Sequence, residues 1–240
     1  MKLRLLFILL LATLILNAQS DRQYIGLAVG PSFPLNDFAR MDLNDSTSGW
    51  AKTGVAFEFT YAYRLTNNLG LQGKISYSSN RFDNFRYEDA LTSAYSRNPV
   101  DPDTSFSSES SKNWSSAGFL VGPYLRLPIS TSISWDIKAL AGMFSVSSPE
   151  LILNGSVNDG NKLEEYYRLN GRGYAFAYSL GTGLKYKVSN YYVLLFVDYF
   201  ESKLKINNIA GWDWNDEPYN ESIKQDVSYL SVTLGLGYFF

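Results

Sequence analysis

The chain has 240 residues, no histidine, no cysteine, 16% aromatic residues and a formal net charge of −2. Those absences exclude disulfides, metal sites built on His or Cys, and the Ser–His and Asp–His arrangements of hydrolytic catalysis. The weak acidity gives no reason to expect a nucleic-acid partner.

Residues 1–20 stand apart. Lys2 and Arg4 precede an apolar run, Leu5–Leu16, too short to cross a bilayer as a stable helix, and small residues follow. This is the pattern of a secretory signal. Cleavage after Ala18 leaves Leu16 at an awkward position, whereas cleavage after Ser20 suits the small-x-small rule better; both remain open. Removing Lys2 and Arg4 takes the side-chain charge from −2 to −4. Residues 21–240 suffice for one domain, and no later segment reaches the roughly 18 apolar residues of a transmembrane helix. No further domain is expected after the terminal strand.

The rest of the chain alternates with period 2. A first strand is predicted at about Gln23–Pro31, with Ile25, Leu27 and Val29 on one face and Gly26, Ala28 and Gly30 on the other. A polar loop then runs to Trp50. Strand two, Thr53–Leu65, sets Val55, Phe57, Phe59, Tyr61 and Tyr63 against Ala56, Glu58, Thr60, Ala62 and Arg64. Thr66-Asn67-Asn68 makes a tight turn. Strand three, Leu69–Asn80, carries Leu71, Ile75 and Tyr77 opposite Gln72, Lys74 and Ser76. A long segment rich in Ser, Asp, Asn and Tyr occupies Arg81–Ser115.

Strand four, Ser116–Leu127, includes Pro123, which lacks a ladder donor and suggests a bulge. Strand five, Ser132–Val146, sets Ile133, Trp135 and Ile137 against Asp136, Lys138 and Leu140. After another long loop comes strand six, Arg172–Lys187. Strand seven, Tyr191–Lys203, has the weakest alternation. A last loop is predicted over Leu204–Gln225 before the terminal strand, Val227–Phe240. Within the third long loop, Leu151–Gly155 could turn as a hairpin at Asn154-Gly155, and Lys162–Leu169 could form a short helix. The connections alternate long, short, long, short throughout. In an up-and-down barrel this places every long loop at one end.

The terminal strand puts Phe240, Tyr238, Leu236, Leu234 and Val232 on one face and Phe239, Gly237, Gly235 and Thr233 on the other. It resembles the closing strand of bacterial outer-membrane β-barrels, in which a final Phe with apolar residues at alternate positions forms the insertion signal. The resemblance extends over the mature chain to small eight-stranded, porin-like outer-membrane barrels. It implies an all-β, membrane-spanning, up-and-down antiparallel barrel of about eight strands, with long extracellular loops and short periplasmic turns. It also implies outer-membrane lipid around the barrel, and the barrel assembly machinery as a partner during insertion.

Which face is inside follows from composition. The second face is largely Gly, Ala, Ser and Thr, as in Ala175-x-Ala177-x-Ser179-x-Gly181-x-Gly183. Small residues with scattered charges suit the interior of a narrow barrel. Aromatic residues cluster near strand ends on the apolar face, as membrane-interface girdles do. The expected lumen charges are Glu58, Arg64, Lys74, Arg126, Asp136, Lys138, Lys185 and Asp198. Read functionally they would gate a pore; more plainly, they would form a paired network filling the lumen. The short turn after strand two puts Glu58 opposite or diagonal to Lys74.

Other motifs weigh lightly. Glu164 and Glu165 read as solvated loop charge rather than a catalytic pair. Asp213, Asn215, Asp216, Glu217, Asn220 and Glu221 are oxygen donors suited to calcium, but Pro218 stands where an EF-hand needs glycine. Gly181-Thr182-Gly183 and Gly235-Leu236-Gly237 lack the context of a nucleotide-binding loop. Phe82, Phe85, Tyr87, Tyr95 and Phe106 in the second long loop could present a partner surface. The expectation is a non-enzymatic, monomeric barrel without cofactors, a scaffold whose loops meet an extracellular or envelope protein. A narrow channel for ions or small solutes is the first alternative, and a soluble exported barrel holding a hydrophobic ligand is the second.

Overall fold

The computed structural model describes residues 22–95, 105–110, 112–156, 162–213, 215 and 217–240. The expected signal segment over residues 1–20 lies outside them. Eleven strands are described: β1 (Gln23–Pro34), β2 (Gly54–Arg64), β3 (Leu69–Asn80), β4 (Ser105–Glu109), β5 (Trp114–Pro128), β6 (Ile133–Ser147), β7 (Leu151–Ser156), β8 (Lys162–Arg168), β9 (Arg172–Val188), β10 (Tyr191–Trp212) and β11 (Pro218–Phe239). Two helices accompany them, α1 (Asn36–Ala39) and α2 (Asn84–Tyr95). Eight strands, in the order β1-β2-β3-β5-β6-β9-β10-β11, pair antiparallel in a ring. The ring closes where β11 pairs with β1, with Leu27 opposite Leu236 and Val29 opposite Leu234.

The period-2 pattern sorts side chains onto two faces with different solvents. Leu27 and Leu236 are 66% and 65% exposed, whereas Ala56 and Thr233 are fully buried. The wide apolar face, from Phe57 and Ile75 through Phe119, Ile137, Leu180 and Leu195 to Leu234, therefore points outward all round the ring. In water a belt of this size would be an aggregation surface; in a bilayer it is the matching solvent. On β11 the belt runs from Leu230 to Tyr238. At about 3.4 Å per residue and a tilt near 40° that rises roughly 20 Å, close to the apolar band of a membrane barrel. Tyr61, Tyr63, Trp135, Tyr186, Tyr191 and Tyr238 edge it at the short-turn end; Phe57, Tyr77, Tyr174, Tyr178 and Tyr199 edge it at the other. The barrel thus spans a membrane, and a soluble barrel with these residues wrapped around a ligand is ruled out.

Four expectations need correcting. Pro123 makes no bulge: β3–β5 keeps one register through Leu71 opposite Pro123, and β5–β6 keeps its register on either side of it. The rungs missing from the β5–β6 ladder are those at Gly122 and Pro123, so the lost donor is absorbed without a shift. The last loop is also much shorter than Leu204–Gln225, because β10 and β11 continue as a paired hairpin to Trp212 and Pro218. Leu204 and Ile206 stay inside while Lys203 and Lys205 face out, so alternation persists once the outer face leaves lipid. One extra residue between Ile206 and Ile209 makes a bulge at which Asn208 takes a left-handed backbone, φ 58°, and both isoleucines remain buried. Asparagine tolerates that conformation better than most residues.

Third, Lys162–Leu169 is not helical; Lys162–Arg168 is β8, paired with β7 from Leu151 opposite Arg168 to Ser156 opposite Lys162. Fourth, Asn154-Gly155 does not turn this hairpin but sits within β7, at a register irregularity. α2, with no buried residue of its own, had not been expected in the second long loop.

The closed lumen and the extracellular cap

The barrel interior is stacked in three layers. The middle one is ionic. Lys74 Nζ lies 3.1 Å from Glu58 Oε1 and 3.5 Å from Asp198 Oδ2, and Lys138 Nζ lies 2.9 Å from the same Asp198 oxygen. Just below, Lys185 Nζ lies 2.6 Å from Asp136 Oδ2. All six are at most 4% exposed. Three lysines and three carboxylates cancel, which is the condition under which buried charge is tolerated. Glu58 and Lys74 meet diagonally, since the register sets Glu58 opposite Ser76 and Thr60 opposite Lys74. Gly181 is required here by close approach: a Cβ on it would collide with Asp198 Oδ1 and crowd the Lys138 stem. Arg64 and Arg126 stay outside this network. They are half-buried near the short-turn end, where the Arg126 guanidinium lies 5.9 Å over the Tyr192 ring.

The lower layer is aromatic. The Lys185 ammonium sits 4.3, 5.2 and 5.4 Å from the ring centres of Tyr24, Tyr124 and Tyr192, a cup that stabilises a cation electrostatically. Phe239 packs on Tyr192 at 5.1 Å. The upper layer is apolar, built from Phe144, Phe200 and Tyr229 with ring centres 4.6 and 4.7 Å apart. It is completed by Phe38 from α1, which is 2% exposed and packs edge-on against Trp114 at 5.7 Å.

The first long loop therefore enters the barrel mouth rather than standing clear of it. Trp114 Nε1 donates to Gly49 O at 2.7 Å, Gln225 Nε2 to Thr47 O at 3.0 Å, and Ser228 Oγ to Leu35 O at 3.0 Å. Within the loop, Asp45 accepts from the Thr47 hydroxyl and amide and from Arg40; together these hold its carboxyl down to about 2. Trp50 adopts a left-handed backbone, φ 50°, a strained position for a bulky residue. It is held there by Trp50 N to Arg40 O, 3.1 Å, and Asp83 N to Trp50 O, 2.8 Å.

Above the mouth, β10 and β11 rise as a wall. β8 joins it at Gly211 opposite Arg168, and β7 and β4 follow, so the outer connections share one sheet with the barrel. β4 is the edge of that sheet. Its free donors are taken by α2: Ser108 N donates to Glu88 Oε1 at 2.7 Å and Phe106 N to Thr92 Oγ1 at 3.3 Å. An open edge strand invites pairing with another chain; here side chains close it. Trp50, Phe82, Leu151 and Leu153 form the apolar core of this cap, and the partly buried Tyr87 packs against it, 5.0 Å from Trp50 and 5.3 Å from Phe82. A cavity of about 150 Å³ remains between the first loop and the wall, bordered by Asp42, Ser48, Tyr87, Arg168 and Gln225.

The other sequence-derived candidates fall at several places. Val232, Leu234, Leu236, Tyr238 and Phe240 lie along the outward face of β11 and the residue after it, with Leu234, Leu236 and Tyr238 exposed. Of the aromatics in the second long loop, Phe82, Tyr87 and Phe106 turn inward, and only Phe85 and Tyr95 stay exposed. Asp213 Oδ1 accepts from the amides of Asn215 and Glu217, closing the β10–β11 turn. Glu221 faces Arg168 at 3.8 Å, and Asp216 lies outside the described residues. No cluster of three or more acidic residues able to hold a metal occurs among the described residues. Glu164 and Glu165 belong to β8, with their side chains outside the described set. The plugging role of Phe38 and Trp114 had no counterpart in the sequence reading; the available signal was a single Phe in a polar loop.

No protein-family model matches the chain, and no curated protein matches it in sequence. Solved structures that resemble it include Ail, the attachment invasion locus protein of Yersinia pestis, at 16% identity and a TM-score of 0.45, covering 92% of this chain and 100% of that one. Neisserial surface protein A matches at 11% identity and 0.41, covering 92% and 98%. A major outer membrane protein from Thermus thermophilus matches at 10% identity and 0.49, covering 91% and 99%. The closed ring of strands, rather than these matches, establishes the fold.

Proposed function

We propose that the chain is a non-enzymatic, non-conducting barrel of the bacterial outer membrane whose task is to hold a folded cap at the cell surface. The observation that carries this reading is the continuity of the cap with a plugged barrel. β10 and β11 run unbroken from the lipid belt into the extramembrane wall, and the first loop seals the mouth through Phe38. A scaffold of this rigidity holds surface features in fixed relation, as a binding platform requires. The closed lumen speaks against the channel alternative, because each of the three layers would have to open. Cap features left facing solvent, Phe85 (76% exposed) and Tyr95 (47%), are where an extracellular or envelope partner would meet the protein.

The test is planar-bilayer recording with protein whose folding is verified by heat-modifiable gel migration. The expected trace has no discrete conductance steps. Reproducible steps from the folded protein would replace the scaffold reading with the channel.

A further inference from the structure

Outside the lumen, one surface feature is unexplained by packing. On the outward face of β10 the apolar series Val193, Leu195, Val197, Tyr199 gives way to Glu201, Lys203 and Lys205. The same change occurs on β11, from Leu230 to Asp226 and Lys224, and on β9, from Phe176 and Tyr174 to Arg172. The register then sets Lys205 directly opposite Lys224, both exposed. Like charges facing each other across a sheet destabilise it. Neighbouring cations are neutralised: Lys203 Nζ lies 3.0 Å from Asp226 Oδ2 and 3.7 Å from Glu201 Oε1. Among the described residues Lys205 and Lys224 have no such carboxylate, and Arg172 has only a hydrogen bond from Nε to Ser147 Oγ, 3.2 Å.

Depth narrows the occupant. The rungs Ser202 opposite Ala177 and Asn207 opposite Arg172 bracket Lys203 and Lys205, and set them beside Phe176 and Tyr174. Phe176 and Tyr174 are outward-facing aromatics, 61% and 68% exposed, at the upper edge of the belt. The lysines thus stand on the outward side just above the apolar belt, where long basic side chains reach down to headgroups. We propose that Lys205 and Lys224 clamp phosphate groups carried by lipids of the outward-facing leaflet. The lipid's charge offsets the repulsion that the bare sheet leaves unmet. This rests on the membrane orientation given above.

The experiment compares the full chain with the double variant Lys205→Gln/Lys224→Gln and with Lys52→Gln, which neutralises one exposed lysine on the cap. Each is reconstituted in phosphatidylcholine containing a minor fraction of phosphatidylglycerol, extracted mildly, and its retained lipid counted by native mass spectrometry. Wild type and Lys52→Gln are expected to retain phosphatidylglycerol preferentially, and the double variant to lose about fivefold of that preference per lysine removed. Equal retention by wild type and the double variant overturns the clamp, as does displacement of the lipid by equimolar inorganic phosphate. A wild type that shows no heat-modifiable migration overturns the barrel reading instead, whereas a folded wild type without anionic preference overturns the clamp alone.

Discussion

Thr233 and Leu234 are chain neighbours with opposite solvents, the first fully buried in the lumen and the second 59% exposed to the lipid side. Leu234→Lys is expected to cost about 2–4 kcal/mol, as for a cation near the midplane of a membrane barrel, read from urea unfolding in lipid vesicles. Asp198→Asn acts from the other side of the wall. It removes the anion shared by Lys138 and Lys74 and leaves Lys138 buried without its partner. Breaking a buried pair from one side costs about 3–5 kcal/mol, so the urea midpoint should fall clearly. Asp45 governs the first loop. With its carboxyl lowered from 3.8 to about 2 in the folded chain, it contributes fully above the ordinary carboxylate range and loses that contribution as pH falls through about 2. The fluorescence of Trp50 and Trp114 should therefore stay native down to about pH 4 and change only below it.

At this scale the Glu58–Lys74 meeting was legible, because a short turn fixes parity between adjacent strands. Phe38 was not. A lone Phe in a polar loop carries no periodicity, and its burial depends on Trp114, distant in sequence.

At the scale of elements, the strands that lie against lipid were readable nearly to the residue, since both faces obey a strict code. The elements above the membrane were not. Lys203 and Lys205 interrupt the apolar outer face, so the upper halves of β10 and β11 read as a loop although Leu204 and Ile206 continue the inward series. β8 has the composition of a short helix and is a strand because β7 and β10 offer partners on either side. The pairing of β4 with α2 is likewise a matter of tertiary context. Glu88 accepts from both the Ser108 amide and its hydroxyl. Glu88→Ala should leave the barrel intact but loosen the edge by about 1 kcal/mol per lost bond. Limited proteolysis would show it as faster cleavage between β3 and β5, with unchanged heat-modifiable migration; an unchanged cleavage rate would remove the edge-guarding role.

At the scale of the molecule, alternating loop lengths were enough to place every long connection at one end, and the ring of eight strands follows that plan. What could not be read from the sequence was that those connections form one cap, the last three joined in one sheet and the first three in one core. That core is shared among the segments containing Trp50, Phe82 and Leu151, and no single segment's pattern encodes it. Both the cap and the plug depend on one placement: the wide apolar face meets lipid and the charged face is sealed inside. A chain without cysteine permits a direct check with one introduced thiol. Leu234→Cys and Glu217→Cys, each labelled with a small fluorophore, are reconstituted in vesicles containing brominated acyl chains. Strong quenching by brominated lipid is expected at position 234, with protection from aqueous iodide, and the reverse at position 217. A probe at position 234 that iodide quenches and brominated lipid does not would contradict that placement.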